Sequence, residues 1–371
     1  MRVLIFTAST GGGHKRAAAA LKDTIQRLSP ESEILVVDGI ALTGKLFNSV
    51  ICNSYTLMAK HASGIYGRIY NSSDKESPLN SLSNNVNKSK GHKILPIIQD
   101  FNPDIIVSCH AFVTTMLGGL KTDGEIDVPV ISLVTDFEPH RTYIAEGIEH
   151  YIVSSEEMVH LFAGKYKFPS SNVHPFGIPV FHKFTEQFDK KEARRKFNLD
   201  TERPVILFMA GSFGVSEVRK YYEDIAKKCP ECQFIVITGN NDKLYHKFEH
   251  SSNENTLLYK FVDNVEDYMH CADLIITKPG GLTVSESLQC RLPMAIYSAF
   301  PGQEAGNANY LVRSGAAIML DKDPGETISN ILSDKELLAE MSRNCEKICP
   351  HNAAEKIFEL IEKVVAERNS R

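Results

Sequence analysis

The sequence has no long hydrophobic run, no signal-peptide pattern and no strong excess of charge of either sign. No apolar run approaches the roughly 18 residues that a membrane-spanning helix needs. Residues 1–6 enter an apolar strand at once, so we expect a cytoplasmic chain. The 41 basic and 46 acidic residues leave a net charge of −5, which disfavours nucleic acid as a partner.

The eight cysteines do not form the pattern of a disulfide framework. With 371 residues, 43% of them hydrophobic, the chain is long enough and apolar enough to form ordinary globular domains without cross-links. Cys229 and Cys232 form a C-x-x-C motif, but Cys345 and Cys349, the only other close pair, have a different spacing. The cysteines are therefore interpreted as ordinary thiols, and no metal site is predicted.

The chain does contain a strand-then-helix alternation that occurs twice, which predicts an α/β protein with two parallel, doubly wound sheets. A candidate domain boundary lies at residues 176–180, and the strand–helix alternation begins again at residues 205–210. We predict Rossmann-like domains over 1–178 and 179–345 that face a central crevice, and a C-terminal helix, 346–371, that packs back on the first domain. Strands are expected at residues 3–7, 34–37, 104–108, 128–134, 151–154, 205–210, 234–238, 257–259, 274–277, 294–297 and 316–320.

The first candidate site is the loop Thr-Gly-Gly-Gly-His at residues 10–14, which joins the first strand to the first helix. Gly12 and Gly13 let the backbone approach a phosphate or an acceptor closely. His14 at the helix start is a candidate general base near neutral pH. The loop matches neither the Walker A spacing nor G-x-G-x-x-G. The alternative is a tight turn with a capping histidine.

The second candidate site is the junction at residues 277–286, where a strand ends, Gly280 and Gly281 turn, and a helix begins. Free N–H groups at a helix start favour phosphate. Glu286, about one turn into the helix, is suited to accept hydrogen bonds from ribose hydroxyls. The alternative is a capping box formed by Thr283 and Glu286.

Other strand ends carry weaker signals. Gln303 and Glu304 lie beside a helix start and suit sugar hydroxyls, while Gly211 and Ser212 form a second candidate phosphate loop. Asp136 ends a strand and is either a cap or a catalytic carboxylate. The Asp-Lys-Asp sequence at 321–323 has the form of a metal-binding D-x-D motif but precedes Pro-Gly, so we interpret it as a turn.

Taken together and in this order, these loops resemble glycosyltransferase family 28, which has the GT-B fold, and especially its diacylglycerol glycosyltransferases. The resemblance extends from residue 1 to about residue 345. The motifs that carry it are Thr10-Gly11-Gly12-Gly13-His14, Val134-Thr135-Asp136-Phe137, Gly177-Ile178-Pro179, Met209-Ala210-Gly211, Lys278-Pro279-Gly280-Gly281 and Pro301-Gly302-Gln303-Glu304.

The resemblance implies inverting transfer of glucose or galactose from a UDP-sugar to the hydroxyl of 1,2-diacylglycerol, with no cofactor and no metal. It implies that His14 is the base or its close partner. We also predict that Asp136 is a catalytic residue. Glu286 corresponds to the ribose carboxylate, and Gln303 and Glu304 correspond to sugar contacts. The remaining donor contacts that it implies are Gly211, Ser212, Gly280, Gly281, Leu282 and Thr283 at the diphosphate and Phe261 and Val262 at the uracil.

A membrane partner is expected from residues 41–100, which carry seven basic and three acidic residues interleaved with apolar ones. A basic and apolar segment suits an anionic lipid surface. We therefore expect a peripheral enzyme on the inner face of the membrane. The alternative is an ordinary amphipathic segment packed on its own domain.

Two alternative functions share this architecture: a lipid II-type transferase of N-acetylglucosamine, which also uses a membrane acceptor, and a UDP-N-acetylglucosamine 2-epimerase, which needs no lipid. The basic and apolar segment argues against the epimerase. A nicotinamide-dependent oxidoreductase is disfavoured because G-x-G-x-x-G is missing after the first strand. A non-catalytic nucleotide-binding module is the remaining alternative.

Overall fold

The computed structural model describes residues 1–9, 12–44, 90–210 and 218–370. The chain divides into two compact units. The first comprises Met1–His182, Phe300–Gln303 and Pro350–Arg371, and the second Lys183–Ala299 and Glu304–Cys349. The first division thus comes after His182, a few residues beyond the boundary that the sequence suggests.

Each unit contains one six-stranded sheet in which every strand pair is parallel. The first unit has β1 (Arg2–Thr7), β2 (Glu33–Asp38), β3 (Ile105–Ser108), β4 (Val130–Leu133), β5 (His150–Ile152) and β6 (Val173–His174). The second has β7 (Val205–Met209), β8 (Gln233–Ile237), β9 (Thr256–Tyr259), β10 (Leu274–Thr277), β11 (Met294–Ile296) and β12 (Ala317–Met319).

Both sheets grow outwards in two directions from their first strand. The orders are β2-β1-β3-β4-β5-β6 and β12-β11-β10-β7-β8-β9. In such sheets a crevice opens at the carboxyl ends of the strands, at the point where the order reverses. That point lies between β1 and β3 in the first unit and between β7 and β10 in the second. The predicted class of two doubly wound parallel sheets is confirmed; the short strand β6 is an addition.

Helices connect the strands, as right-handed parallel crossovers require. Among the described residues, no helix is both long and apolar enough to span a bilayer. The α-helices are α1 (Gly13–Leu28), α2 (Leu95–Phe101), α3 (Ala111–Thr122), α4 (Glu156–Tyr166), α5 (Lys190–Lys196), α6 (Val218–Lys228), α7 (Asp242–Glu249), α8 (Val265–Cys271), α9 (Gly281–Gln289), α10 (Gln303–Arg313), α11 (Pro324–Ser333), α12 (Lys335–Ile348) and α13 (Ala353–Asn369).

The C-terminal helix α13 belongs to the first unit and packs against α1. Arg27 forms a 2.6 Å ion pair with Glu355 across this contact. The chain reaches α13 through Pro350, whose ring lies against Gly177; a Cβ added to Gly177 would come within 2.6 Å of the proline. Gly177 also has a φ of +92°, so glycine is needed there for both space and backbone conformation.

Candidate active site

His14 lies in the first turn of α1, directly after β1, and therefore at the reversal point of the first sheet. Gly12 is the N-cap of this helix, and no side chain caps it. The alternative interpretation, in which His14 caps the helix, is thus wrong. Gly12 is exposed and Gly13 is partly buried, and Gly11 lies outside the described residues.

The hydrogen bonds of His14 fix which ring nitrogen carries the proton. Nδ1 lies 2.8 Å from the carbonyl oxygen of Cys109. A carbonyl oxygen can only accept, so Nδ1 is the donor and carries the hydrogen. Oγ1 of Thr135, 3.1 Å from the same nitrogen, is a second acceptor for it. In the neutral ring, Nε2 therefore has a free lone pair, as a general base requires.

The neutral form of His14 is also the stable one. Burial lowers the pKa of His14 to about 4, and the bond to the Cys109 carbonyl offsets only part of that effect. At physiological pH the imidazole is therefore unprotonated and able to accept a proton at Nε2. The hydrogen bonds and the low pKa of His14 thus both favour its role as a general base.

Asp136 is joined to His14 through two hydroxyl groups. Oγ1 of Thr135 lies 3.2 Å from the hydroxyl of Tyr143, which donates to Oδ2 of Asp136 at 3.2 Å. Gln303, which belongs to the first unit, donates from Nε2 to the same oxygen at 3.1 Å. Burial, with a further contribution from the Asp136 carboxylate, raises the pKa of Tyr143 well above its usual value, so the phenol remains a donor. Through Tyr143, Asp136 thus orients the Thr135 hydroxyl that lies beside His14.

His110 is a further member of this cluster, and sequence analysis did not single it out. Its ring lies edge-on to that of His14, with centroids 4.7 Å apart. Nδ1 of His110 accepts from the backbone N–H of Phe112 at 3.2 Å and caps α3. Burial, with the nearby His14 as a lesser cause, holds the pKa of His110 well below its usual value. Its position directly after β3, the strand beside β1, could have identified it.

In the second unit, Gly280 and Gly281 begin α9 at the carboxyl end of β10. Gly280 is the N-cap and supplies no side chain, and a Cβ added there would meet nothing within 4 Å. The first N–H groups of a helix have no partner within the helix, and with no side-chain cap at Gly280 this helix start suits a phosphate. Nδ2 of Asn307 donates to the carbonyl of Pro279 at 2.9 Å and holds this loop in place.

Glu286 lies in the second turn of α9 with only 3% of its surface exposed. The capping-box interpretation of this segment is wrong, because the helix has already begun at Gly281 and Thr283 lies inside it. Glu286 therefore occupies the helix body. The junction brings together five predicted donor contacts: Gly280, Gly281, Leu282, Thr283 and Glu286.

Of the other predicted donor residues in the second unit, those that the structure describes follow β9 and β11. Phe261 follows β9 and is 64% exposed, unusual for a large apolar side chain, and Val262 beside it is partly buried. Glu304 lies in the first turn of α10. Gly211 and Ser212 lie outside the described residues. The hydroxyl of Tyr297 donates to the carbonyl of Ala210 at 2.9 Å and fixes the end of the β7 segment that leads to them.

The Asp321–Asp323 segment forms a turn that begins α11. Oδ1 of Asp321 accepts from the backbone N–H of Asp323 at 2.9 Å and from the hydroxyl of Thr327 at 3.2 Å. These bonds are local and support the interpretation as a turn.

Comparison with solved structures supports the fold. The structure is similar to that of MurG from Acinetobacter baumannii, with a TM-score of 0.65 and 15% identity over 98% of this chain and 99% of that one. It is also similar to a UDP-GlcNAc 2-epimerase from Neisseria meningitidis bound to UDP-GlcNAc, with a TM-score of 0.63 and 14% identity over 98% and 100% of the two chains. At these identities the likeness extends to the fold alone.

Comparison with known sequences is more specific. The chain is 28% identical to a processive diacylglycerol beta-glucosyltransferase of Staphylococcus epidermidis over 92% of this chain and 87% of the relative. It is also 28% identical to the protein of the same name from Bacillus subtilis, over 96% and 94% of the two chains. The monogalactosyldiacylglycerol (MGDG) synthase model matches residues 14–180, and the glycosyltransferase family 28 C-terminal domain model matches residues 205–363. The N-terminal part of the chain thus carries an MGDG synthase domain, and its C-terminal part carries the C-terminal domain of glycosyltransferase family 28.

Proposed function

We propose that the protein is an inverting glycosyltransferase that moves a hexose from a UDP-sugar to the hydroxyl of diacylglycerol. The substrate classes rest on the two relatives named processive diacylglycerol beta-glucosyltransferases, which match 92% and 96% of this chain. The observation that carries the chemistry is the proton arrangement of His14, which leaves Nε2 free to accept a proton. This reaction needs such a base, because an alcohol is a poor nucleophile until its proton is removed.

The proposed reaction is a single displacement. The acceptor oxygen forms a bond to the anomeric carbon while the bond from that carbon to the diphosphate breaks. The hydroxyl proton moves to Nε2 of His14, and the electron pair of the broken bond leaves with UDP. The N–H groups at the start of α9 stabilise the charge that develops on the diphosphate.

We propose glucose as the transferred hexose, because these two relatives are named glucosyltransferases. The test offers purified protein UDP-glucose, UDP-galactose and UDP-N-acetylglucosamine with diacylglycerol vesicles, and analyses the lipid products for sugar and linkage. A β-linked glucosyl diacylglycerol is expected. Product from UDP-N-acetylglucosamine alone, or free sugar without glycolipid, would contradict the proposal.

The pH profile should report the low pKa of His14. The base must be unprotonated, and burial lowers its pKa to about 4. We therefore expect kcat/KM to stay level from neutral pH down to about pH 5 and to fall as pH passes through about 4. Circular dichroism at each pH separates this limb from acid unfolding. A fall centred near 6.5, the ordinary histidine value, would contradict the assignment.

Transfer should not depend on a divalent metal. The helix-start donors of α9 supply positive potential at the diphosphate, and Asp321 and Asp323 are engaged in a turn. We expect the initial rate in excess EDTA to stay within twofold of the untreated rate. If EDTA abolished transfer and Mg²⁺ or Mn²⁺ restored it, the D-x-D sequence would again be a candidate metal site for the reaction.

We propose that residues 41–100 contact an anionic membrane. Residues 45–89, including Lys88, lie outside the described part of the chain, whereas Lys93 is exposed and Lys90 partly buried. Each basic residue near an anionic surface contributes about 1 kcal/mol, and salt screens this attraction. Replacing Lys88, Lys90 and Lys93 by Glu should weaken binding to anionic vesicles at least about fivefold at low salt.

Co-sedimentation with vesicles of graded anionic content measures this effect. The matched control replaces Lys227, Lys243 and Lys322, all exposed in the second unit, by Glu; its charge change is the same. Both variants should bind UDP like the wild type. Equal vesicle binding by the two variants would show that net charge, and not this segment, governs attachment.

A further inference from the structure

The C-x-x-C motif forms a tight turn between α6 and β8. The backbone N–H of Cys229 donates to the carbonyl of Ile225 at 2.8 Å and so continues the helical bonding. The N–H of Cys232 donates to the carbonyl of Cys229 at 3.0 Å, which closes a four-residue turn. Pro230 occupies the second position, where its fixed φ suits a turn. The turn therefore brings the two thiols to the same side.

Side chains from outside the turn hold every carbonyl between residues 230 and 232. Arg203 donates from Nε to the carbonyl of Glu231 at 2.7 Å and from Nη2 to that of Cys232 at 3.4 Å. Asn255 donates from Nδ2 to the carbonyl of Pro230 at 3.4 Å. The turn is thus fixed before any ligand arrives, and preorganisation of this kind strengthens binding.

The side chains of this turn form a set of metal ligands. The Sγ atoms of Cys229 and Cys232 and a carboxylate oxygen of Glu231 all lie within 4.8 Å of one another, and the described ranges contain no other such group of three. Both cysteines are fully buried, and Glu231 is exposed. In a tetrahedral Zn²⁺ site, with Zn–S bonds of about 2.3 Å, the sulfurs are roughly 3.8 Å apart. A small movement of the cysteine side chains toward each other would therefore bring the two sulfurs to the separation that Zn²⁺ needs.

The charge of the site is also suitable. Two thiolates, one carboxylate and one Zn²⁺ sum to −1, and the guanidinium of Arg203 lies against the same turn. We propose that Cys229, Glu231 and Cys232 bind one Zn²⁺, with water as the fourth ligand. Binding releases the two thiol protons to solvent. Because this turn precedes β8, it lies at the amino end of that strand, opposite the carboxyl ends that carry the donor residues. The ion is therefore structural and takes no part in transfer.

The experiment titrates reduced, metal-free, full-length protein with Zn²⁺ under anaerobic conditions, in competition with a chromogenic chelator. The wild type should bind one tight equivalent. Cys229→Ser should weaken that binding by about a hundredfold or more, since even indirect partners of a metal are worth about 10- to 100-fold. Glu231→Gln, at an exposed position that tolerates substitution, should weaken it by about tenfold. Cobalt substitution should give a thiolate-to-metal charge-transfer band.

The matched control is Cys345→Ser, another fully buried cysteine of the second unit, and it should bind Zn²⁺ like the wild type. Saturating Zn²⁺ should raise the Tm of the wild type and leave that of the Cys229→Ser/Cys232→Ser double variant unchanged. The proposal is overturned if the wild type takes up no tight equivalent while both thiols are reduced. Binding of equal strength by the double variant would overturn it as well.

Discussion

Replacing His14 by alanine should lower kcat by about a hundredfold or more, the usual consequence of losing a general base. The expectation follows from the hydrogen bond of Nδ1 to the Cys109 carbonyl, which leaves Nε2 as the accepting nitrogen. The low pKa of the ring keeps that nitrogen unprotonated at neutral pH. Initial rates at saturating UDP-sugar and diacylglycerol measure the effect directly.

The affinity for UDP should change little in this variant, because His14 belongs to the first unit and the predicted diphosphate contacts at α9 belong to the second. Calorimetric titration with UDP therefore separates loss of chemistry from loss of binding. The matched control is His160→Ala, a change of an exposed histidine on α4 of the same unit, which should keep wild-type kcat. Activity of His14→Ala within a few fold of the wild type would remove His14 from the mechanism.

The sequence was sufficient to predict the strand–helix alternation and the loops at the strand ends. Local patterns carry both, because parallel buried strands are short apolar runs and glycine loops follow them. His14 could be selected for the same reason, since it closes a glycine loop directly after a strand. The pattern did not reveal its acceptor, Cys109, which is 95 residues away. Only the placement of β3 beside β1 brings the two together.

Two helix starts differ from those that the sequence suggested. Thr283 and Glu286 have the spacing of a capping box, yet α9 begins at Gly281. The C-terminal helix predicted over residues 346–371 begins later, at Ala353: the preceding helix α12 ends at Ile348, and Pro350 lacks the N–H that a helix interior needs.

The proposed zinc ligands in the cysteine turn could not be predicted from the sequence pattern alone either. The C-x-x-C motif is visible in the sequence, and without a second pair at matching spacing it predicted no metal. The structure adds the carboxylate of Glu231 as a third ligand and Arg203 as an anchor of the turn. Arg203 lies 28 residues before Glu231, so spacing alone does not connect them.

Replacing Glu286 by alanine should weaken UDP binding by about 1.5–3 kcal/mol, the typical worth of hydrogen bonds to a charged group. That is roughly a 10- to 150-fold rise in Kd. The expectation rests on the family resemblance, which assigns this carboxylate to the ribose hydroxyls, and on its place in α9 one to two turns beyond Gly280. The helix starts at Gly281, so Glu286 does not cap it. A loss of UDP affinity in a folded variant would therefore indicate a lost contact with the ribose.

Glu286 is buried, so the measurement needs a control for folding. Calorimetric titration with UDP should be accompanied by the Tm of each variant, and Glu286→Gln keeps the shape of the side chain while removing its charge. Glu340→Ala, an exposed change in the same unit, should bind UDP like the wild type. If Glu286 holds the ribose, the glutamine variant should regain part of the lost affinity, because an amide oxygen still accepts one hydrogen bond. A folded alanine variant with wild-type affinity for UDP would show that this carboxylate serves only the packing of α9.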